Sequence, residues 1–128
     1  MMQQLAGVAL GGALGSLCRF GLTRWLTARN PYPAFSLGVL AANLVGCFLI
    51  GFLFVRLGAL EPRLKETLSA FLITGFLGGL TTFSSYSLEL YRMGSEGAWK
   101  WVGAYFLLHL VAGLAAVGAG VWTARSTG

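Results

Sequence analysis

The most constraining feature of this sequence is an uncharged segment that is polar at its centre. Residues 67–88 contain no Asp, Glu, Lys or Arg, and about 20 such residues are enough to cross a bilayer. Adjacent glycines stand in its middle, and four hydroxyl side chains follow them: Gly78, Gly79, Thr81, Thr82, Ser84 and Ser85. Adjacent glycines weaken a helix, and irregular backbone at membrane depth is stable only when it is buried in protein or lines a cavity. The segment therefore predicts a broken helix that serves an ion site, and it indicates that the protein is a channel or transporter.

Composition places the chain among polytopic membrane proteins. Of its 128 residues, 56% are hydrophobic and 10% are charged, whereas in a soluble domain about a quarter of all residues are charged. The formal net charge is +5, but the basic residues are scattered singly between apolar runs, which argues against nucleic-acid binding. Cys18 and Cys47 lie in apolar runs, where buried hydrophobic side chains are expected rather than a disulfide or a metal site. The N-terminus lacks the basic region of a signal peptide, so the first apolar run is read as a retained helix.

Four apolar segments predict one all-α domain that covers residues 1–128. We place the transmembrane helices at residues 5–26, 35–55, 67–88 and 101–122, joined by short loops. Turn-forming residues 30–33 precede the second segment, and Glu61-Pro62 is typical of a helix start before the third. Aromatic side chains at the segment ends predict an interfacial belt: Trp25, Tyr32, Tyr91, Trp99, Trp101 and Trp122.

Positive charge is shared evenly between the two sides of this predicted domain. One side carries Arg56, Arg63, Lys65 and Arg125. The other side carries Arg24, Arg29, Arg92 and Lys100, and Arg19 is left inside the first segment. Because excess Lys and Arg normally selects the cytoplasmic side, this balance predicts a dual topology and an antiparallel homodimer. The alternative is one fixed orientation set by another signal.

Small residues recur along the first two segments at roughly the spacing of a helical turn. They are Gly7, Gly11, Gly12 and Gly15 in the first, and Gly38, Ala42, Gly46 and Gly51 in the second. Small side chains let transmembrane backbones approach closely. The pattern predicts tight helix packing and carries no information about the substrate.

Polar residues at membrane depth are candidate functional residues because burying them is unfavourable. Asn43 offers two amide donors that could replace water around a small anion, or it could join two helices by hydrogen bonds. Arg19 could extend to the interface, or it could raise the anion concentration at a pore mouth. His109 has no neighbouring ligand residue in the sequence, so a packed or hydrogen-bonded histidine is expected rather than a metal ligand.

The absence of carboxylates from the predicted spans and the presence of aromatic rings favour an anion over a cation as the transported ion. The chain has no Asp, and its four glutamates are predicted in loops or at segment ends: Glu61, Glu66, Glu89 and Glu96. Proton-coupled carriers and carboxylate-based cation sites are therefore disfavoured, and the sequence lacks the motifs of an enzyme. Phe83 and Tyr86 are three residues apart, hence on one face of a helix. Ring edges carry partial positive charge and can solvate an anion.

Three motifs, in order along almost the whole chain, resemble those of the CrcB/Fluc fluoride channels. They are Gly11-Gly12-Ala13-Leu14-Gly15-Ser16 followed by Arg19, then Leu40-Ala41-Ala42-Asn43-Leu44-Val45-Gly46, then Gly75-Phe76-Leu77-Gly78-Gly79-Leu80-Thr81-Thr82-Phe83-Ser84. The resemblance implies a dual-topology homodimer in the bacterial cytoplasmic (inner) membrane with two antiparallel pores. These pores would export fluoride passively and so protect the cell.

The resemblance also implies roles for individual residues. The pore would be lined by Asn43, Phe83, Tyr86, Ser84 and Ser85, with Arg19 at its vestibule. One structural Na⁺ at the centre of the dimer would be held by the backbone carbonyls of Gly78 and Thr81. Two positions depart from the family pattern, Tyr86 in place of Phe and Val39 in place of a frequent Thr. The alternatives are a small multidrug-resistance exporter, which would need a buried glutamate in its first segment, and a membrane assembly subunit that transports nothing.

Overall fold

Four helical spans account for nearly all of the chain in a computed structural model, which describes residues 1–30 and 35–128. They are α1 (Met2–Thr27), α2 (Leu37–Gly58), a composite third span (Pro62–Ser95) and a last helix (Trp99–Ser126). All four are long and apolar enough to cross a membrane, and the described residues contain no strand. The expected all-α membrane protein is thus confirmed. Residues 31–34 of the expected turn, with Tyr32 of the aromatic belt, lie outside the described residues.

The third span consists of several elements in series. It comprises α3 (Pro62–Ser69), a π-helical segment (Ala70–Leu77), the short α4 (Gly78–Leu80) and α5 (Phe83–Ser95), and the last helix, Trp99–Ser126, is α6. Between α4 and α5 the backbone is extended, with φ −88° and ψ 157° at Thr81 and φ −152° and ψ 116° at Thr82. The glycine at position 78 is itself helical. The departure from helical geometry therefore lies after the glycine pair.

Side-chain caps begin three of the helices, and those of α2 and α3 lie at predicted segment starts. The carboxylate of Glu61 accepts hydrogen bonds from the backbone N–H groups of Arg63 and Leu64, and Pro62 occupies the first turn. This confirms the helix start predicted from Glu61-Pro62. Ser36 caps α2 in the same way, accepting from the N–H of Val39 at 3.1 Å.

Glycines bring α1 and the third span into backbone contact. A Cβ added to Gly11 would collide with the carbonyl oxygen of Phe71, and one added to Gly15 would collide with that of Phe76. A Cβ on Gly75 would meet the Cα of Gly11 at 3.0 Å. The predicted role of the small residues in helix packing is confirmed for this pair of spans. The same contact recurs between α2 and α6, where a Cβ on Gly120 would strike the carbonyl of Phe48.

Buried apolar side chains form two clusters on either side of the extended residues. One contains Val39, Leu40, Tyr86, Met93 and Tyr105. The other contains Ala42, Leu77 and Leu80. Large apolar side chains on the outer faces of α1 and α6 are exposed instead, as lipid-facing positions should be. Exposed aromatic residues of the predicted belt include Trp25, Tyr91, Trp99 and Trp122.

The contact between α1 and the third span gives a stability test. We expect Gly15→Ala to lower the free energy of unfolding by about 1–3 kcal/mol, because the new methyl group has no room beside the Phe76 carbonyl. Gly21→Ala is the matched control on the same helix, since a Cβ there meets nothing within 4 Å. The control should be neutral or stabilising by up to about 1 kcal/mol, because alanine favours helix. Equal unfolding temperatures of the two variants in detergent would contradict the assigned packing.

Candidate functional site

A groove of about 590 Å³ lies between α2, the third span and α6, and it gathers most of the predicted site residues. Five of them line it: Asn43, Gly78, Thr81, Phe83 and Tyr86. The rest of its lining is Gly46, Cys47, Ile50, Ile73, Leu77, Thr82, Phe106, His109 and Leu110. No carboxylate, lysine or arginine belongs to this lining in the described part of the chain. The walls are therefore apolar with a few neutral hydrogen-bonding groups, an environment suited to a desolvated ion only where those groups replace its water.

Asn43 contacts the backbone of Thr82 with both ends of its amide. Its Oδ1 accepts from the Thr82 N–H at 2.8 Å, and its Nδ2 donates to the Thr82 carbonyl at 3.2 Å. Because the backbone N–H can only donate, the orientation of the side-chain amide is fixed. The second Nδ2 hydrogen faces Nε2 of His109 at 3.3 Å. Asn43 thus joins α2 to the third span by hydrogen bonds, which is one of the two roles that the sequence left open, and it also lies on the groove.

Extended backbone at Thr81 and Thr82 removes the helical donors of the carbonyl groups at this point, among them those of Gly78 and Thr81. In a continuous α-helix the Gly78 carbonyl would accept from the Thr82 N–H, which donates to Asn43 instead. The Thr81 carbonyl would accept from the Ser85 N–H, which donates to the Thr82 hydroxyl at 3.2 Å. Gly78 and Thr81 are the residues expected to hold Na⁺. Two carbonyl oxygens released from their helical donors suit a hard cation, which prefers oxygen ligands.

Hydroxyl groups cluster at the start of α5. The Thr82 hydroxyl donates to the Ser85 hydroxyl at 3.1 Å and lies 3.2 Å from that of Ser84. Together with the bond from the Ser85 N–H, this makes Thr82 the N-cap of α5. The sequence-predicted Ser84 and Ser85 do not belong to the groove lining. Both contact the hydroxyl of Thr82, which does line the groove and which sequence analysis did not assign to the site.

Two aromatic rings mark the edge of the groove. Phe83 and Tyr86 are neighbours as predicted, with ring centroids 5.9 Å apart and planes inclined at 53°. Tyr86 is buried, whereas Phe83 is 78% exposed. The exposed ring of Phe83 extends the apolar wall of the groove outward.

The predicted packed, hydrogen-bonded His109 is confirmed, whereas its neighbour Tyr105 was missed by sequence analysis. His109 lies against the Tyr86 ring with centroids 4.2 Å apart, and its Nδ1 is 3.1 Å from the Tyr105 carbonyl oxygen. The Tyr105 hydroxyl donates to the Glu89 carboxylate. We expected Glu89 at a segment end, but α5 continues to Ser95 and leaves it half-buried within the helix. Glu89 also lines a second cavity of about 490 Å³. Glu89, Tyr105, His109 and Asn43 therefore form a continuous series of polar contacts from that cavity to the groove.

Two other residues singled out in the sequence lie elsewhere. Arg19 is partly buried on α1 and is not among the residues that line the groove. Val39 is buried in the core cluster with Tyr86 and Tyr105.

Comparison with known proteins identifies close relatives over nearly the whole chain. The family model described as CrcB-like protein, Camphor Resistance, matches residues 6–121. A protein named fluoride-specific ion channel FluC from Burkholderia cenocepacia is 42% identical over 130 residues, covering 98% of this chain and 96% of the relative. Proteins of the same name from Azotobacter vinelandii and Pseudomonas putida are each 44% identical. They cover 89% and 98% of this chain, and the alignments span 90% and 99% of those relatives.

The cap on α5 gives a second stability test. We expect Thr82→Val to destabilise the protein by about 1–2 kcal/mol, because the isosteric side chain cannot accept from the Ser85 N–H. Thr82→Ser keeps the capping oxygen and is the matched control, with a smaller loss from the missing methyl group. Unfolding of both variants in detergent micelles measures the difference. A valine variant as stable as the serine variant would show that the hydroxyl does not cap α5.

Proposed function

The chain belongs to the CrcB-like family, and from this membership and the groove we infer that it is a fluoride-specific ion channel. It is a multi-pass protein of the bacterial inner membrane, with four helices long and apolar enough to span the bilayer. Fluoride is its substrate, and its relatives are named as ion channels rather than enzymes. We assign no catalytic activity to it.

The observation that carries the site assignment is the neutral groove beside Asn43. Fluoride is small and strongly hydrated, so a dry path must supply substitute donors. We assign this role to the side-chain amide of Asn43 and the ring edges of Phe83 and Tyr86, which line the groove. The hydroxyls of Ser84 and Ser85 join them in this proposal from the cap of α5, beyond the groove lining. Since no carboxylate lines the groove among the described residues, an anion meets no like charge there. A narrow path of this kind disfavours the larger chloride by fit.

Conduction through such a path is passive. An inside-negative membrane potential favours the outward movement of one anion by about 2.3 kcal/mol per 100 mV. The chain therefore needs no energy source to lower cytoplasmic fluoride. Fluoride that enters as HF from acidic surroundings and dissociates inside would be the ion exported, which makes the role protective.

We place the groove in an antiparallel, dual-topology homodimer with two pores. Four basic residues on each side of the chain leave both orientations equally favoured. The groove is open in the single chain, and the exposed Phe83 stands at its edge. A second copy of the chain would cover this apolar surface and complete the pore wall. In this arrangement Arg19 serves the vestibule, from which it raises the local anion concentration without touching the narrow path.

Na⁺ belongs in the same proposal as a structural ion at the centre of the dimer. The carbonyl oxygens of Gly78 and Thr81 would hold it, and its charge would keep their dipoles together. Gly78 is exposed in the single chain, so an ion held there could also contact a second copy. The third span then keeps its broken helix because the ion and Asn43 satisfy the groups that the break releases.

Two other functions make different demands on the chain. A small multidrug-resistance exporter would need a buried glutamate in its first span, and residues 2–27 contain none. A subunit that only scaffolds an assembly would explain the packing glycines but not the hydroxyls and amide beside Thr82. Restored growth on fluoride of a strain that lacks its own exporter supports the channel. Restored growth on cationic drugs instead would support the exporter. Failure to restore growth on either would support the scaffold.

Asn43→Asp tests the site directly. The carboxylate can still accept from the Thr82 N–H but places a negative charge where the anion must pass, so fluoride efflux from liposomes should fall at least about a hundredfold. Ser126→Asp adds the same charge at the exposed C-terminal end of α6 and should leave efflux unchanged. Unchanged efflux in the Asn43 variant, with the dimer intact by size-exclusion chromatography, would remove Asn43 from the pore.

Withdrawal of Na⁺ tests the structural ion. In N-methyl-D-glucamine chloride of equal ionic strength, the dimer should unfold at a lower temperature than in NaCl. The lost free energy is about 2.7 kcal/mol when Na⁺ had been present at a hundredfold excess over its Kd. Choline chloride is the control for a nonspecific effect of the organic cation and should lower the unfolding temperature equally. The same unfolding temperature in all three salts would contradict a bound Na⁺.

A further inference from the structure

His109 is the one histidine of the chain, and its surroundings constrain which nitrogen carries the proton. Nδ1 lies 3.1 Å from the Tyr105 carbonyl oxygen, which can only accept a hydrogen bond. Nδ1 is therefore protonated. Nε2 lies 3.3 Å from Nδ2 of Asn43, which can only donate. Nε2 is therefore an acceptor, and both contacts require the same neutral tautomer of the imidazole.

This arrangement uses both hydrogens of the Asn43 amide. One is donated to the Thr82 carbonyl at 3.2 Å and the other to His109. The amide cannot turn round, because its Oδ1 accepts from the Thr82 N–H. With His109 neutral, Asn43 has no unshared hydrogen to offer to an anion in the groove.

We propose that His109 is a positioning residue that decides how many donors Asn43 presents to fluoride. The neutral imidazole holds one amide hydrogen of Asn43. Protonation of Nε2 turns that acceptor into a donor, so it releases the hydrogen and adds a second donor beside it. Both residues line the groove, and Nδ2 of Asn43 lies 3.3 Å from Nε2 of His109, so an anion bound beside them would accept from both donors. Fluoride conduction then rises as the pH falls. The inference rests on the proposed channel function.

Other titratable groups near His109 come from the two helices that pack on this part of α6. Cys47 of α2 lines the same groove, and the Tyr86 ring of α5 covers the imidazole. On α6 itself Tyr105 lies one turn away and connects to Glu89 of α5, whose neighbour within α5 is Arg92. Among the titratable groups that the structure describes, His109 is the one in hydrogen-bond contact with Asn43. Variants at His109 therefore separate its effect from that of the other groups.

Fluoride efflux from liposomes measured between about pH 8 and about pH 5.5, with equal pH inside and outside, tests the proposal. The wild-type flux should rise about tenfold over this range, as expected for one added charge-assisted hydrogen bond. Protein-free liposomes at each pH give the leak of HF to be subtracted. His109→Gln offers an amide oxygen to Asn43 but cannot acquire charge, so its flux should not change with pH over this range. His109→Leu leaves one amide hydrogen unpaired and should conduct faster than His109→Gln at about pH 8, without pH dependence.

The outcomes separate the two claims. If fluoride flux through the wild type and through His109→Gln depends on pH in the same way, the role of His109 is overturned, and the channel function is unaffected. Equal flux of the Gln and Leu variants at about pH 8 also overturns it. No wild-type flux at any pH overturns the channel itself and this inference with it.

A spectroscopic measurement keeps the proposal testable if either variant fails to fold. Because the chain has a single histidine, ¹⁵N-histidine labelling gives one pair of ring-nitrogen signals that needs no assignment. The proposal predicts the Nδ1–H tautomer at about pH 8 and a charged ring over the pH range in which wild-type flux rises. The Nε2–H tautomer at about pH 8, or a ring that stays neutral while the flux rises, would overturn it.

Discussion

The structure around the site depends on the two hydrogen bonds between the Asn43 amide and the backbone of Thr82. In the first, the Thr82 N–H donates to Asn43 Oδ1 at 2.8 Å, whereas in a continuous helix it would donate to the Gly78 carbonyl. Together the two bonds connect α2 to the third span at this point. Extended backbone at membrane depth is otherwise unfavourable, because lipid offers no hydrogen bonds. Thr82 completes the arrangement by capping α5 with its own hydroxyl. One side chain from another span and one cap thus stabilise the extended residues.

Close helix packing is the second condition for this arrangement. In lipid, burial of apolar surface does little to bring helices together, so small residues and backbone contact must do so. Gly11 and Gly15 bring α1 against the third span, and Gly120 brings α6 against α2. The second contact is what carries His109 and Tyr105 to Asn43. The geometry of the groove therefore depends on Gly11, Gly15 and Gly120, which do not line it.

Local sequence properties predicted the spans, and tertiary contacts account for what sequence missed. An uncharged run and the Glu61-Pro62 helix start are local, so they could be recognised directly. The extended residues fall at Thr81 and Thr82 rather than at the glycine pair, because the donor that competes for the Thr82 N–H belongs to Asn43, 39 residues away. Glu89 was expected at a segment end because a charge usually terminates a span, yet Tyr105 of α6 provides it with a partner within the helix. The contact of His109 with Asn43 likewise depends on how α2 and α6 pack.

The most direct test of the account is ion efflux from liposomes that contain the purified wild-type protein, with the potential clamped by K⁺ and valinomycin. Fluoride and chloride are followed in parallel under the same conditions. A neutral path that replaces the water of a small anion predicts fast fluoride release and no chloride release. Release of both ions at similar rates would contradict a selective path at Asn43, and no fluoride release from well-folded dimer would contradict the channel.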